Sequence, residues 1–416
     1  MRRAAIFAIA FCCLTTVWAP VVHAQTSDFG IDVPITVSGG AMYSERLQLR
    51  DPSASAESAG FRGMLYPTLQ LGKHWFAYSA FQVYYDPYFY YDAFSPGHEV
   101  ETNVIQAFAG YSFTAKRASV VIKAGRLSTA FGSFPLHYDD AVNPLLDQPL
   151  SYIQTLTIRT DQLPCGTSDL KRQSYGFVIN GCGGVSGGKS GLTPVTLYGL
   201  PAVEADMSLG RIDARLQLTS GSPMNPQRTT AVGDSLSWTA GAGYTIRQGF
   251  RVGVSGFRGP YLSPAVAVFL PDGTAVRDFP ASAVGVDAQW AHGRWSLNGE
   301  VQRFEFTSPN FAVAPSLTSS YIEAKGIITP RVYAAVRTGW LRSGHVVDNA
   351  GVSADHFAPL LESYEISSGF WVRRNQLLKG SYEWLRPVGS PGTRLNVLGL
   401  EYVVTFHSLN WAFHTI

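Results

Sequence analysis

The 416-residue sequence predicts an all-β protein, a closed antiparallel transmembrane β-barrel of sixteen strands. Apolar and polar residues alternate along segments of about ten residues, the length that crosses an outer membrane as a tilted strand. Short and long connections between these segments alternate, and tryptophans gather near both segment ends. Lipid contains no water that could satisfy an open sheet edge, so the sheet must close. We therefore expect short periplasmic turns, long extracellular loops and a long third loop folded toward the lumen.

The N-terminus has the features of a secretion signal, predicted over residues 1–24. Arg2 and Arg3 precede an apolar run, and Val22-His23-Ala24 offers a cleavage site. Residues 25–416 are then the outer-membrane barrel. The full chain has a formal net charge of +2, which Arg2 and Arg3 account for, so the mature chain is formally neutral. Net charge therefore predicts no partner, and in particular no nucleic acid.

The composition is consistent with a barrel and argues against a bundle of membrane helices. Hydrophobic residues make up 46% of the chain and charged residues only 15%. Beyond the N-terminus, no stretch reaches the roughly 20 apolar residues that a membrane helix needs. On composition alone, a long soluble β-domain is the alternative.

Connections between the predicted strands come in two lengths. Seven short turns are predicted at 72–73, 115–117, 209–210, 247–249, 291–293, 329–330 and 373–375. Eight longer connections are predicted at 48–58, 87–102, 128–192, 222–233, 260–280, 308–316, 344–360 and 388–393. Bacterial barrels distribute periplasmic turns and outer loops in this way, which places both termini in the periplasm.

Each strand should have one face toward lipid and one toward water. From Arg211 to Thr219 the odd positions are polar and the even positions apolar, and 284–290 and 398–406 repeat this split. A soluble sandwich would alternate too, with its apolar face inside, so periodicity leaves both folds open.

Tryptophan position favours the membrane barrel, because tryptophan rings prefer the two headgroup levels. Four tryptophans lie near short turns and three toward the opposite strand ends: Trp75, Trp290, Trp295 and Trp371, then Trp238, Trp340 and Trp384.

The third connection, 128–192, is predicted to form the constriction, because sixteen strands leave a bore that side chains cannot fill. It carries Asp139, Asp140 and Asp147. Basic residues on the polar strand faces are expected to oppose these acids: Lys123, Arg211, Arg215, Arg331, Arg337 and Lys379. Opposed charges would create a transverse field, and their imbalance suggests a mild anion preference. The alternative is that the loop acids are solvated or paired elsewhere.

Cys165 and Cys182 are predicted to form a disulfide, since the chain is exported to an oxidising compartment. For the loop they close, the chain-entropy model gives on the order of 3 kcal/mol. Metal ligation is the weaker alternative, because two thiols do not fill a tetrahedral site.

Two further segments contain residues suited to binding a ligand. Residues 183–190 match GxxxxGK[ST], but no hydrophobic strand precedes them and no helix follows, so they are interpreted as a glycine-rich loop. The aromatic tract 84–92 could stack on sugars at the mouth, or belong to the outer girdle. The sequence holds no HExxH and no GxSxG, and we predict neither an enzyme nor a cofactor.

Three short motifs resemble Gram-negative outer-membrane porins, and more loosely the phosphate-selective porins O and P. They are Lys123-Ala-Gly-Arg126 running into Phe131-Gly132, residues 378–383, and Gly399-Leu-Glu-Tyr402 with Phe406. The resemblance implies a sixteen-stranded channel, commonly a homotrimer. Porins usually end on an aromatic residue, whereas this chain continues to Ile416, so Phe413 is an alternative end of the last strand.

These observations predict passive diffusion of small hydrophilic solutes and ions across the cell outer membrane. The expected partners are the bilayer, lipopolysaccharide, the solutes, further copies of the chain and the barrel-assembly machinery during insertion. One alternative is a substrate-specific channel for phosphate, another anion or a sugar. The other is a plugged barrel that acts as a structural or adhesive surface protein.

Overall fold

The structure is a computed structural model. It describes residues 29–45, 55–85, 100–133, 135, 138–153, 158–174, 181–184, 192, 194–195, 199–222, 224, 236–358, 360–388 and 395–413, with backbone only for 387–388 and 408–413. The predicted signal 1–24, residues 86–92 of the aromatic tract and residues 185–190 of the glycine-rich loop lie outside the described residues.

The described residues contain twenty strand segments. They are β1 Phe29–Ser44, β2 Glu57–Leu65, β3 Thr68–Leu71, β4 Trp75–Tyr85, β5 Val100–Thr114, β6 Ala118–Leu127, β7 Leu200–Leu209, β8 Ile212–Ser220, β9 Leu236–Arg247, β10 Phe250–Pro260, β11 Pro280–His292, β12 Trp295–Phe306, β13 Phe311–Val313, β14 Ser316–Thr329, β15 Val332–Ser343, β16 Val346–Asp348, β17 Ser353–Ala354, β18 Leu360–Arg373, β19 Gln376–Val388 and β20 Leu395–Phe413. β13, β16 and β17 form a small separate sheet. β2 and β3 both pair with β1 and β4 and act as one strand interrupted at Tyr66-Pro67.

The remaining segments form a closed antiparallel barrel of sixteen strands, as predicted. Each strand pairs with its neighbour in the chain, and β20 closes the ring against β1. This last pairing runs from Ser44 opposite Val397 to Phe29 opposite Phe413. The closing strand therefore reaches Phe413 and does not stop at Phe406, because β1 offers backbone partners over that whole length.

All seven predicted short turns and all eight longer connections separate the strands in the predicted order. Gly210 and Gly293 have φ values of 61° and 60° in turns of two residues, where tight hairpins require a positive φ. The third connection extends to Gly199, beyond the predicted end at 192, because β7 begins only at Leu200. We call the two ends of the barrel the short-turn end and the long-loop end.

The outer face of the barrel is mostly apolar, and its inner face is polar except for an apolar cluster toward the long-loop end. Val284 and Val286 of β11 are 64% and 59% exposed, whereas Asp287, which follows Val286 and points to the other face, is 6% exposed. β8 and β20 show the same division, with exposed Leu218 and Leu400 beside buried residues of opposite parity. This arrangement is the reverse of a soluble sandwich, so the alternative left open by periodicity is wrong.

Of the seven tryptophans predicted to form the two girdles, six stand at outward positions. Trp75, Trp238 and Trp295 are exposed on the outside of the barrel. Trp371 has the parity of buried Glu365 and packs inside, against the cluster that contains Ala141 of the third connection. Its predicted place in the outer girdle is therefore wrong, because proximity to a turn does not determine strand face.

Helices are short. The third connection contains Leu150–Ile153 and Thr167–Ser174, and the connection after β10 contains two 3₁₀ turns, Pro264–Phe269 and Val276–Asp278. Within the described part of the chain, no helix has the length and apolar character needed to cross a membrane.

Candidate pore constriction

The third connection enters the barrel and crosses its interior. After β6, Phe131 packs on Phe257 of β10 and Phe304 of β12. Tyr138 then donates a hydrogen bond to Gln82 of β4, 2.7 Å away, on the far side of the ring. Residues 143–147 return along β15, β18 and β19. The segment therefore spans the lumen and then follows one part of the wall.

Asp140 forms the first attachment of this segment to the wall. Its carboxylate lies 2.9 Å from Nη2 of Arg62 and accepts a 2.5 Å hydrogen bond from Ser38. Its backbone carbonyl accepts a 2.8 Å bond from Nζ of Lys379, which also pairs with Glu401 at 2.5 Å. Arg62, Lys379 and Glu401 are at most 1% exposed. Such buried charges are tolerated only when paired and hydrogen-bonded, as these are.

Arg337 forms the second attachment. Its guanidinium lies 2.6 Å from Glu323 and 3.5 Å from Glu365, and donates to the Asp147 carbonyl at 2.7 Å. Glu365 in turn accepts backbone hydrogen bonds from Leu146 at 2.9 Å and from Asp147 at 3.2 Å. The wall therefore supplies both donors and acceptors for the loop backbone.

Glu300 of β12 forms the third attachment. It accepts hydrogen bonds from the Ser133 amide at 2.6 Å, the Tyr152 hydroxyl at 2.8 Å and the Tyr321 hydroxyl at 3.2 Å. Toward the long-loop end, an apolar cluster continues this contact. It includes Phe131, Leu150, Phe257, Tyr261, Phe304, Phe306, Leu317, Leu341, Phe357, Leu385 and Leu395. We call the wall of β12, β14, β15, β18, β19 and β20, with the loop residues on it, the closed half.

Free space remains at the short-turn end and beside the loop. A cavity of about 850 Å³ opens at the short-turn end, where Lys325, Trp371 and Thr405 of the closed half also line it, and one of about 200 Å³ lies between the loop and the wall from β2 to β8. Tyr66, Asp139 and Val142 line both cavities. We call the two cavities, which share these lining residues, the side passage.

Ionised residues of β6, β7, β8 and β10 line the side passage, and two further acids, Asp213 and Asp287, pair with one of them. Lys123 lies between Glu204 at 2.8 Å and Asp206 at 2.5 Å. Arg251 lies between Asp213 at 2.6 Å and Asp287 at 2.8 Å. These and one further cation are the charged wall: Lys123, Glu204, Asp206, Asp213, Arg215, Arg251 and Asp287.

Strand β9, between these charges, contributes glycines to the inner face. A Cβ at Gly243 would lie 2.0 Å from Nη2 of Arg251 and 2.4 Å from Asp213. At Gly241 a Cβ would lie 3.1 Å from Nε of Arg215. The guanidinium groups therefore lie against the backbone of β9, which leaves the space in front of them open.

The structure separates the predicted pore residues into three groups. Asp140, Asp147, Arg337 and Lys379 meet in the closed half. Lys123 and Arg215 belong to the charged wall, and Asp139 lies opposite them, where it accepts hydrogen bonds from Thr36 at 3.3 Å and from Tyr66. Arg211 and Arg331 are exposed in short turns and take no part in the loop contacts.

The predicted residue set left out the acids of the charged wall. Asp213 and Asp287 occupy inward positions of strands whose alternation is clear from the sequence. Glu204 and Asp206, two residues apart before the turn at 209–210, have the same signal. Inward parity alone could have identified them.

The predicted disulfide is confirmed. Cys165 and Cys182 are bonded, with their Cα atoms 4.9 Å apart. Helix Thr167–Ser174 follows Cys165, and Asp348 of β16 accepts hydrogen bonds from the Thr167 amide at 3.1 Å and the Val352 amide at 2.9 Å. The pKa of Asp348 is lowered, because backbone amides, first that of Thr167, donate to its charged form.

Solved structures with the same fold are outer-membrane channels and porins. The outer membrane channel DcaP of Acinetobacter baumannii is 11% identical with a TM-score of 0.54, covering 91% of this chain and 97% of its own. OmpF of Salmonella typhi, in complex with daunomycin, is 10% identical with a TM-score of 0.54, covering 90% and 97%. An anion-selective porin from Comamonas acidovorans is 10% identical with a TM-score of 0.53, covering 91% and 100%.

No protein-family model matches the sequence, and no curated protein matches it either. At these identities the likeness establishes the fold that the chain shares with porins. The narrower resemblance to phosphate-selective porins O and P stays a prediction.

Proposed function

We propose that the protein is an outer-membrane channel in which small hydrophilic solutes diffuse passively through the side passage. One observation carries the proposal: a closed barrel with an apolar exterior encloses a charged wall on which Lys123 and Arg251 border open space, while Arg215 donates to the loop carbonyl of Gly132. Lys123 and Arg251 keep 18% of their side-chain surface exposed, whereas Arg62 and Lys379 in the loop contacts keep 0% and 1%. The porin neighbours support transport as the function. The short-turn end then faces the periplasm.

The signs of the charges favour a weak preference for cations. Each of Lys123 and Arg251 is bonded to two carboxylates, and Asp139 adds another from the loop side. Around the side passage the described carboxylates exceed the cations by one: Asp139, Glu204, Asp206, Asp213, Asp287 and Glu323 against Lys123, Arg215, Arg251, Lys325 and Arg374. Fixed charge of one sign enriches counter-ions in a narrow pore. This preference replaces the mild anion preference that the sequence suggested, since Arg337 and Lys379 are covered by the loop.

Conductance of the purified protein in a planar bilayer tests the proposal. We expect steady, ohmic single-channel current. In a tenfold KCl gradient at pH 7, we expect a reversal potential whose sign shows that K⁺ is more permeable than Cl⁻. A reversal potential of the opposite sign would reject the ion preference and leave the channel standing. A solute-specific channel for phosphate or a sugar would show as concentration-dependent block by that solute.

A plugged barrel is the second candidate, and the small cavity beside the loop favours it. About 200 Å³ between loop and wall is room for a few water molecules or a small ion with its hydration shell. Absence of current from correctly folded protein would support the plug and reject the channel. The homotrimer implied by the resemblance stays a prediction.

A further inference from the structure

Four arginines lie on the outside of the barrel near its long-loop end. Arg258 of β10, Arg303 of β12, Arg342 of β15 and Arg386 of β19 are all exposed and point away from the lumen, each within three residues of the end of its strand. Their inward neighbours, such as Phe257 and Phe304, are buried. We call these four residues the outer arginine row.

Strand register places the row at a common level. Arg303 pairs with Thr318 of β14, and Thr318 pairs with Arg342. Neighbouring strands lie about 4.8 Å apart, so the Cα atoms of Arg303 and Arg342 are about 10 Å apart. Arg386 pairs with Glu362 of β18, next to β15.

The row carries more positive charge than its neighbours neutralise. Glu362 lies 4.0 Å from Nη2 of Arg342 and 3.9 Å from Nη1 of Arg386, so two guanidinium groups share one carboxylate. Their side chains remain 59% and 58% exposed. Glu305 is the other described acid of this outer face, which leaves four arginines to two glutamates on β10 to β19.

Apolar and aromatic residues locate the row relative to the bilayer. On the same face toward the short-turn end, exposed residues are aliphatic, among them Val254, Val286, Val301, Ile322, Val336 and Ile366. Trp340 and Trp384 lie two residues from Arg342 and Arg386 on the same outward face. Tryptophan marks the headgroup level, so the arginines lie at or just beyond it. There, a lipid-facing arginine costs far less than at the midplane.

We propose that the outer arginine row binds phosphate groups of the lipid headgroups in the leaflet at the long-loop end. The planar guanidinium matches phosphate oxygens bidentately. Exposed arginines at the edge of a lipid-facing apolar surface can contact the phosphates of the lipid headgroups directly. Because Arg303 and Arg342 are separated by about 10 Å, the preferred ligand is a glycolipid headgroup with two phosphates. The proposal rests on the proposed outer-membrane location.

The site is one-sided. At the long-loop end of β1, β2 and β20 the outward positions hold Tyr43, Glu57 and Leu398, and the described residues of that face include no arginine. Phosphorylated lipid should therefore collect along β10 to β19 and not along β1, β2 and β20.

Native mass spectrometry of the detergent-purified protein with diphosphorylated lipid A as the probe tests this inference. In the double variant R342Q/R386Q we expect the bound fraction to fall by about tenfold, since two charge-assisted contacts are lost. The matched control R247Q/R294Q removes two exposed arginines from short turns at the other end, and should bind as the wild type does. Monophosphorylated lipid A should bind the wild type more weakly.

Three results would overturn the inference. They are equal binding by R342Q/R386Q and wild type, an equal loss in the control, or equal binding of phosphatidylglycerol and diphosphorylated lipid A. Circular dichroism and resistance of the folded barrel to SDS establish that each variant is folded. Binding is measured without current, so failure of the channel proposal and failure of this one are distinguishable.

Discussion

The two sides of the lumen use the same residue types in different roles. In the closed half, Arg337 and Lys379 are 3% and 1% exposed, and each bonds both a wall carboxylate and a loop carbonyl. On the charged wall, Lys123 and Arg251 form ion pairs with wall carboxylates and border open space. A lumen charge therefore holds the loop where loop backbone covers it, and acts on solutes where it does not.

Breaking the closed half should have the largest effect. Arg337→Met leaves Glu323 and Glu365 buried without their cation and removes the bond to the Asp147 carbonyl. We expect a loss of about 3–5 kcal/mol in the free energy of unfolding, because the remaining charges are uncompensated. Urea unfolding of the barrel in detergent measures it.

Arg331→Met is the matched control, because Arg331 is exposed in a short turn. Its effect should stay within about 0.5 kcal/mol. Equal effects of the two substitutions would show that the loop contacts do not stabilise the barrel.

A charge reversal on the charged wall should change ion selectivity and lower stability less than Arg337→Met does, because Lys123 keeps 18% of its side chain exposed and Arg337 keeps 2%. Lys123→Glu places a third carboxylate beside Glu204 and Asp206, so the cation to anion permeability ratio should rise by about twofold or more. Reversal potentials in a KCl gradient measure the ratio. An unchanged ratio would mean that ions do not pass Lys123.

Filling the space over β9 should lower both the free energy of unfolding and the single-channel conductance moderately. In Gly243→Ala the new Cβ would lie 2.0 Å from Nη2 of Arg251, so the guanidinium must move into the side passage. Overpacking predicts a loss of about 1–2 kcal/mol together with a lower single-channel conductance. Gly256→Ala, whose Cβ meets nothing closer than 3.4 Å, is the control and should change neither.

The contact between the third loop and the β16 hairpin should weaken in acid. We expect this change in stability to be the smallest of those predicted. The pKa of Asp348 is lowered, so its hydrogen bonds stabilise the fold at neutral pH. That stabilisation is lost as the pH falls below the ordinary aspartate value and through the lowered one. Amide-exchange protection of helix Thr167–Ser174, relative to the Asp348→Asn variant, should therefore decrease between pH 7 and about pH 3.

In Asp348→Asn itself the protection should depend little on pH, since the amide does not titrate. Asp355→Asn, at a carboxylate that is 92% exposed, should behave as the wild type does. Matching pH profiles for the wild type and Asp348→Asn would contradict the role given to this carboxylate.

Strand count, turn positions and face assignment follow from the sequence because period-two alternation and turn chemistry are local. The parity of Asp213 and Asp287 is local in the same sense, so their inward position is predictable. Which charge the loop covers is not local. Asp140 meets Ser38 and Arg62, and Glu365 meets Leu146, through contacts far apart in the chain.

The same limit explains why Asp139, Asp140 and Asp147 were predicted as one acidic group. Asp140 is paired with buried Arg62, and the Asp147 carbonyl contacts Arg337, while Asp139 alone borders the side passage. One residue of difference along an irregular loop changes the surroundings completely, and no periodicity describes such a loop.

Thiol labelling during current recording tests the central claim, that solutes cross between the loop and the charged wall. Val142→Cys places a thiol at a residue that lines both cavities, and Ser319→Cys places one in the closed half, at a position 2% exposed. Cys165 and Cys182 are bonded to each other and do not react. A methanethiosulfonate reagent should lower the single-channel current of Val142→Cys and leave Ser319→Cys unchanged. Reduced current in Ser319→Cys, with none in Val142→Cys, would contradict the account.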